Sequence, residues 1–231
     1  NMSGDNDQFS SDQRVSLGAS WGGDGWGINV SGNANYTLME DNGDASVGFG
    51  FNEASASTDL MGYANVTIGR QALSYGSGAL MSGNDWGASR TTWDGMTFDL
   101  GLSDVADITV GYHRANDGTG GDDVGNMHTN ISGSFSGWNV NVLYMTNTDD
   151  DDAATGIDIS GGLMGATVSA SMNTDFAGND MRVLGLSYAV NDDMSVNVGQ
   201  TVYSEDGAFN MTTGNMGVDA GSWMTHGNMG H

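Results

Sequence analysis

The stretch WGINVSGNANYTL, from Trp26 to Leu38, alternates apolar and polar residues over its whole length. Its even-numbered positions carry Trp, Ile, Val, Ala, Tyr and Leu apart from one Gly, and its odd-numbered positions carry Gly, Asn, Ser and Thr. Successive side chains of a β-strand point to opposite faces of the sheet. The period of two therefore predicts a β-strand with one apolar and one polar face.

The same alternation recurs along the chain, and Gly, Asn and Asp residues with a preference for turns separate the runs. The other clear runs cover residues 15–21, 47–51, 64–68, 96–102, 106–112, 138–144, 166–172, 184–190 and 194–198. Runs joined by short turns are typical of an antiparallel meander. We therefore expect an all-β fold of about 12 to 14 antiparallel up-and-down strands. Because the composition shows no break, we expect one domain over residues 1–231.

The composition excludes several classes of protein. The chain has 29 acidic residues and five basic residues, with a formal net charge of −24, and it contains no Cys. Such a chain lacks the cations that replace phosphate counterions, so we expect no nucleic-acid partner. The absence of Cys excludes disulfide scaffolds and Cys-based zinc sites. No nucleophile elbow, His-Glu-x-x-His sequence or phosphate-binding loop is present, so we expect no enzyme.

Two architectures fit a long antiparallel meander, and they differ in which face meets water. In a soluble barrel or sandwich the apolar face is buried, whereas in an outer-membrane barrel it contacts lipid and the polar face lines the lumen. Aromatic residues near the strand ends, a polar face of Ser, Asn and Thr, and aspartates in the turns favour the second. We therefore expect a transmembrane β-barrel in the cell outer membrane, with lipid as a partner. No signal-peptide pattern opens the chain; if the protein is exported, as an outer-membrane location requires, we expect the sequence to be its processed form.

The acidic turns offer an alternative interpretation, in which the chain is a filament or surface-layer subunit held together by divalent cations. Clustered carboxylates are ligands that Ca²⁺ prefers. The candidates for weak Ca²⁺ binding are Asp122, Asp123, Asp149, Asp150, Asp151 and Asp152. Solvated acidic turns are the simpler explanation, and we expect no resident cofactor. We also expect residues 1–12 and 224–231 to be poorly ordered.

One segment, at about residues 71–93, interrupts the alternation. A long irregular insertion in a regular meander is usually functional. The sequence around it reads IGRQALSYG at residues 68–76, DW at 85–86 and RTTWDG at 90–95. This pattern resembles the signature of the alginate-export family of bacterial outer-membrane β-barrel porins. That family carries a Gly-Arg-Gln at a strand end, a Tyr-Gly loop, and a Trp…Arg…Asp-Gly before the next strand.

The resemblance implies a channel for passive diffusion of small polar or anionic, sugar-like solutes. It implies that Arg70 and Arg90 face the lumen, with Gln71 and Asp94 as neighbours, and Arg114 completes the set of candidate pore residues. A homo-oligomer, in which other copies complete the barrel, is a further expectation.

A second interpretation of the arginines stays open. They can instead pair with Asp85, Asp94 or Asp99 and so pin the inserted loop, without contacting a solute.

Overall fold

The computed structural model describes residues 2–3, 10–38, 47–83, 90–102, 106–115, 125–147, 152–204 and 209, and the expectation about 224–231 lies outside them. The described residues form one antiparallel sheet without helices. Its strands are β1 (Met2–Ser3), β2 (Ser10–Gly23), β3 (Trp26–Leu38), β4 (Val47–Asp59), β5 (Asn65–Gln71), β6 (Trp93–Leu102), β7 (Ala106–Ala115), β8 (Gly125–Phe135), β9 (Trp138–Asn147), β10 (Ala153–Leu163), β11 (Ala166–Thr174), β12 (Asp180–Asn191) and β13 (Met194–Tyr203).

Each strand pairs with the next one along the chain, from β1 to β13. The prediction of an all-β up-and-down meander is therefore confirmed. Within the described ranges, no helix is long and apolar enough to cross a membrane.

The two ends of the sheet differ in the length of their connections. Tight turns at residues 24–25, 136–137, 164–165 and 192–193 lie at one end, which we call the short-turn end. The connections at the opposite end, the long-loop end, follow β3, β5, β7, β9 and β11. The sequences that join β3 to β4, β7 to β8 and β9 to β10 are rich in Asp. Acidic residues are therefore concentrated at the long-loop end.

Two of the tight turns carry no Asn or Asp, and the sequence did not predict them. Ser136 and Met164 have φ angles of 50° and 51°, and the glycine after each has a φ of 83°. Two consecutive residues with positive φ form the kind of two-residue turn that matches the twist of a hairpin. The second residue in both turns is glycine, which adopts this conformation without strain.

Burial on the two faces of the sheet is the reverse of that in a soluble protein. Large apolar side chains such as Leu17 and Phe49 are 79% and 83% exposed, whereas Asn130 and His113 are only 4% and 0% exposed. The alternation places these two groups on opposite faces, which we call the apolar face and the polar face. The core of the molecule therefore lies on the polar face.

Candidate functional site

The irregular connection between β5 and β6 lies against the polar face. We call residues 72–92 the inserted segment, and the structure describes 72–83 and 90–92 of it. The Tyr75 hydroxyl lies 3.3 Å from Nε2 of His128 on β8. The Ser77 hydroxyl lies 3.2 Å from the Ser171 hydroxyl on β11. The inserted segment therefore crosses the sheet over several strands.

A hydrophobic cluster fixes the inserted segment in place. Its buried members are Ala79, Leu80, Met81, Trp93, Leu143, Met145, Ala154, Met181 and Phe209. Trp93 belongs to β6 and Met181 to β12, six strand spacings apart, which is about 29 Å in a flat sheet. One cluster that includes both indicates that the sheet curls around the inserted segment.

Gly76 brings the backbone of the inserted segment directly against charged and polar groups. Its φ is 57°, and a Cβ atom at this position would overlap the Asp158 carboxylate and the Asn141 side chain. A residue with a side chain would be strained here and would push the segment away from the strands. Glycine therefore allows the segment to lie close to Asp158, on the polar face of β10.

Two buried histidines lie beneath Tyr75. The rings of His113 and His128 are stacked, with centroids 5.0 Å apart and an interplanar angle of 25°. Both rings lie over Gly111, where a Cβ atom would overlap them. The Tyr75 ring is 5.2 Å from that of His128.

The Tyr75 hydroxyl stays protonated at neutral pH. Burial raises its pKa well above the ordinary value, and the Asp99 carboxylate raises it further. Asp99 accepts a hydrogen bond of 2.7 Å from Thr109 on the neighbouring strand. Tyr75 therefore remains a neutral group with a proton to donate.

Three of the predicted pore residues lie on the apolar face of the sheet. Arg70 stands two residues after the exposed Ile68, and its register partner on β6 is Asp94. Asp94 is in turn the register partner of Arg114 on β7. Because residues two apart on a strand share a face, the three residues follow the apolar parity of their strands. Arg70 and Asp94 form an ion pair of 2.8 Å, as the alternative interpretation predicts.

The other two predicted residues lie on the polar side, near the ends of the inserted segment. Gln71 is buried and accepts a hydrogen bond of 3.3 Å from Thr97. Arg90 lies 4.0 Å from Glu53, which also accepts a hydrogen bond of 3.2 Å from Ser31. These contacts connect the two ends of the segment to β4 and β6.

The charged side chains that share the polar parity are mostly acidic. Among the side chains that the structure describes in the strands and in the inserted segment, the acidic members are Glu53, Asp59, Asp99, Asp107 and Asp158, and the basic members are Arg14 and Arg90. Five carboxylates against two guanidinium groups give this face a net negative charge. It therefore favours cations over anions.

The candidate calcium ligands are mostly outside the described part of the chain. Asp122, Asp123, Asp149, Asp150 and Asp151 lie there, and Asp152 is exposed. Among the described residues, no three His, Asp or Glu side chains come together as metal ligands.

Tyr75, His113, His128 and Asp158 were not predicted from the sequence. The alternation could have indicated the last three, because each stands at a position of its strand that belongs to the polar face. Their meeting at the inserted segment depends on strand register and on packing between distant residues.

Comparisons with known proteins identify no relative. No family model matches the chain, and no curated protein matches its sequence. The features that bear on function are therefore the two faces, the inserted segment and the positions of the charged side chains.

Proposed function

We propose that this chain is an outer-membrane β-barrel channel, whose apolar face contacts lipid and whose polar face lines an aqueous lumen. The reversed burial of the two faces carries the proposal. In water, each large apolar side chain left exposed forgoes about 1.5–3 kcal/mol of burial free energy. A hydrocarbon environment removes this penalty, and it requires a sheet without free edges. We therefore propose that the sheet closes into a barrel.

Aromatic residues support two membrane boundaries. On the apolar face at the short-turn end are Trp21, Trp26, Phe135, Trp138 and Tyr188, and at the long-loop end are Tyr36, Phe49, Phe51, Tyr112 and Tyr144. Aromatic girdles at both interfaces are typical of outer-membrane barrels. Most strands from β6 to β13 have 10–12 residues, which is the length that a tilted strand needs to cross a bilayer.

The positions of the charged residues on the apolar face support a membrane boundary at the long-loop end. Among its described strand residues, they are Arg70, Asp94, Arg114, Asp180 and Arg182. Each of the five lies within three residues of the strand terminus at the long-loop end, whether that terminus is the beginning or the end of the strand. Charge is costly at the bilayer midplane and costs little near the interface. The uncharged remainder of this face is suited to the hydrocarbon layer.

The polar face supports a preference for cations and small polar solutes. The inserted segment narrows the space beside Asp158, and the carboxylates outnumber the guanidinium groups there. Rings of carboxylates are the usual device of cation-selective pores. Of the three arginines among the candidate pore residues, only Arg90 lies on this side, so we favour cations over sugar-like anions. The alginate-export resemblance remains a hypothesis about ancestry and solute class.

Extraction and conductance together test this function. We expect the protein to leave the cell envelope only with detergent, and to migrate differently in a denaturing gel before and after boiling. In a planar bilayer it should give discrete, cation-preferring conductance steps, and boiled protein is the matched control. Release by chelator without detergent would contradict the channel and favour the alternative surface subunit, in which other copies cover the apolar face.

A further inference from the structure

Two oxygen atoms that accept no hydrogen bond meet where the inserted segment touches the sheet. Asp158 on β10 and Asn141 on β9 are register partners on the polar face. Among the described residues, the Oδ1 atom of each is buried and has no hydrogen-bond partner. The other side-chain oxygens in this condition belong to Asn35 and Asn126, which lie apart on β3 and β8. The described residues therefore bring two such oxygens together at this place alone.

The contacts of Asn141 and Gly76 show how the two oxygens come together. Asn141 donates from Nδ2 a hydrogen bond of 2.8 Å to Oδ1 of Asn130, which leaves its own Oδ1 on the other side of the amide. That Oδ1 atom lies 2.7 Å from the point that a Cβ atom of Gly76 would occupy, and Oδ2 of Asp158 lies closer to the same point. A carboxylate oxygen and an amide oxygen therefore lie side by side against the inserted segment.

Two hydroxyl groups flank this pair of oxygens. Ser171 on β11 is the other register partner of Asp158, and its hydroxyl lies 3.2 Å from that of Ser77. Ser171 also accepts a hydrogen bond of 2.7 Å from Asn173. The ion pairs of the described residues leave Asp158 out. The site therefore offers carboxylate, amide and hydroxyl oxygens, and none of the described basic groups neutralises it.

A carboxylate in these surroundings needs a partner. Buried charges in proteins are normally paired with an opposite charge or bound to a metal ion, and a buried polar atom without a hydrogen bond points to a bound ion or water. The Asp158 side chain is half-buried, so the site can be reached from the polar side. A set of ligands made only of oxygen atoms is suited to a hard cation.

We propose that Asp158 and Asn141 bind an alkali-metal cation, Na⁺ or K⁺, with the hydroxyls of Ser77 and Ser171 beside it. One carboxylate gives the site a single negative charge, which a monovalent cation neutralises. The affinity of Ca²⁺ sites depends on the number of charged ligands, and no three His, Asp or Glu side chains meet among the described residues. Carbonyl oxygens replace the hydration shell of K⁺ in selective pores. The proposal deepens the proposed function, because it gives the channel a binding step for its permeant ion.

The test measures sodium binding in the absence of an ionic current. Purified protein in mild detergent is titrated with NaCl while choline chloride keeps the ionic strength constant, and the sodium NMR linewidth reports bound Na⁺. A cation about 3 Å from a unit charge in water gains about tenfold in affinity, so D158N should weaken saturable Na⁺ binding about tenfold. N141L replaces the amide by an apolar group of similar size and should weaken binding about threefold, which corresponds to the loss of one polar contact.

The matched control is D107N, which removes a charge from the same face. Asp107 is exposed and its register partners are Gly101 and Ser132, so D107N should leave the saturable binding unchanged. Equal weakening by D107N and D158N would show only diffuse attraction to an acidic face and would overturn the proposal. Unchanged or tighter binding by N141L would also overturn it, because the amide would then donate a hydrogen bond to Asp158 instead of offering its oxygen.

A further variant and a comparison with conductance complete the test. N141D adds a second carboxylate and should tighten Na⁺ binding, so it keeps the proposal testable if D158N does not fold, and weaker binding by N141D would contradict the site. Protein that binds Na⁺ in the expected pattern but gives no conductance steps would support the site and overturn the channel. Protein that conducts but shows no saturable Na⁺ binding dependent on Asp158 would overturn the site alone.

Discussion

The Arg70 guanidinium and the Asp94 carboxylate are joined by two contacts of 2.8 Å, from Nε to Oδ1 and from Nη2 to Oδ2. The pair bridges β5 and β6 on the face that carries the exposed Ile68 and Met96. Arg90, by contrast, lies near Glu53, whose parity places it on the polar face. Two arginines of one sequence motif therefore lie on opposite sides of the sheet.

This division predicts different effects on ion selectivity. Removing the Arg70–Asp94 pair with R70Q and D94N together should leave the reversal potential of the proposed channel unchanged, because the pair lies on the apolar face. R90Q should increase the preference for cations, by up to about threefold if the ion passes about 6 Å from the lost charge in water. Bilayer recordings under a salt gradient measure both. A shift in the R70Q/D94N variant as large as that in R90Q would contradict the assignment of the faces.

Asp158 should contribute to cation selectivity. It lies on the polar face directly against Gly76 of the inserted segment. A unit charge about 6 Å from an ion in water contributes about 0.7 kcal/mol, a factor of about three. D158N should therefore lower the cation-to-anion permeability ratio about threefold, measured from reversal potentials. D180N removes the same charge from the apolar face and should have no effect, and equal effects of the two variants would argue against the lumen.

The hydrophobic cluster should hold the inserted segment in place. Leu80 is almost completely buried in it, and replacing a buried leucine by alanine costs about 2–5 kcal/mol. L80A should therefore loosen the segment and raise the mean conductance and its fluctuations in single-channel recordings. L186A, on the apolar face at an exposed position, is the control. An unchanged L80A channel would mean that the segment does not restrict the passage.

Gly111 should be required for stability, because the rings of His113 and His128 occupy the space of its missing side chain. G111A should lower the free energy of unfolding by about 1–3 kcal/mol, the usual cost of overpacking. Urea unfolding in lipid vesicles, followed by Trp fluorescence, measures the change. At Gly101 on β6 a Cβ atom would meet nothing within 4 Å, so G101A is the control. Equal stability of the two variants would contradict the packing of the histidines.

The alternation in the sequence predicted most of the strands and which of their residues share a face, because strand geometry fixes the face of each position. β8 and β10 contain none of the clear alternating runs. The same rule already placed Arg70 with Ile68 and Asp94 with Met96. The expectation that these residues face the lumen came instead from the family resemblance, which did not take the alternation of the strands into account. Applying parity to each candidate site residue places Arg70, Asp94 and Arg114 on the apolar face.

The inserted segment was recognised as irregular, but its position against the polar face was not predictable from local sequence. Its contacts reach Ser171 and Met181, about a hundred residues further along the chain, as the sequence separation of 94 between Ser77 and Ser171 illustrates. The stacking of His113 on His128 likewise follows from the register of β7 and β8. Such contacts depend on the packing of many strands rather than on any single run of residues.

The central claim, that the apolar face contacts lipid and the polar face contacts water, is tested most directly by labelling single cysteines. The chain contains no Cys, so each introduced thiol is the sole target. Asn197 and Val198 are adjacent on β13 and both are exposed. In lipid vesicles, we expect a charged, water-soluble thiol reagent to modify N197C rapidly and V198C only after unfolding in urea. Modification of V198C as fast as N197C in folded, vesicle-bound protein would contradict the claim.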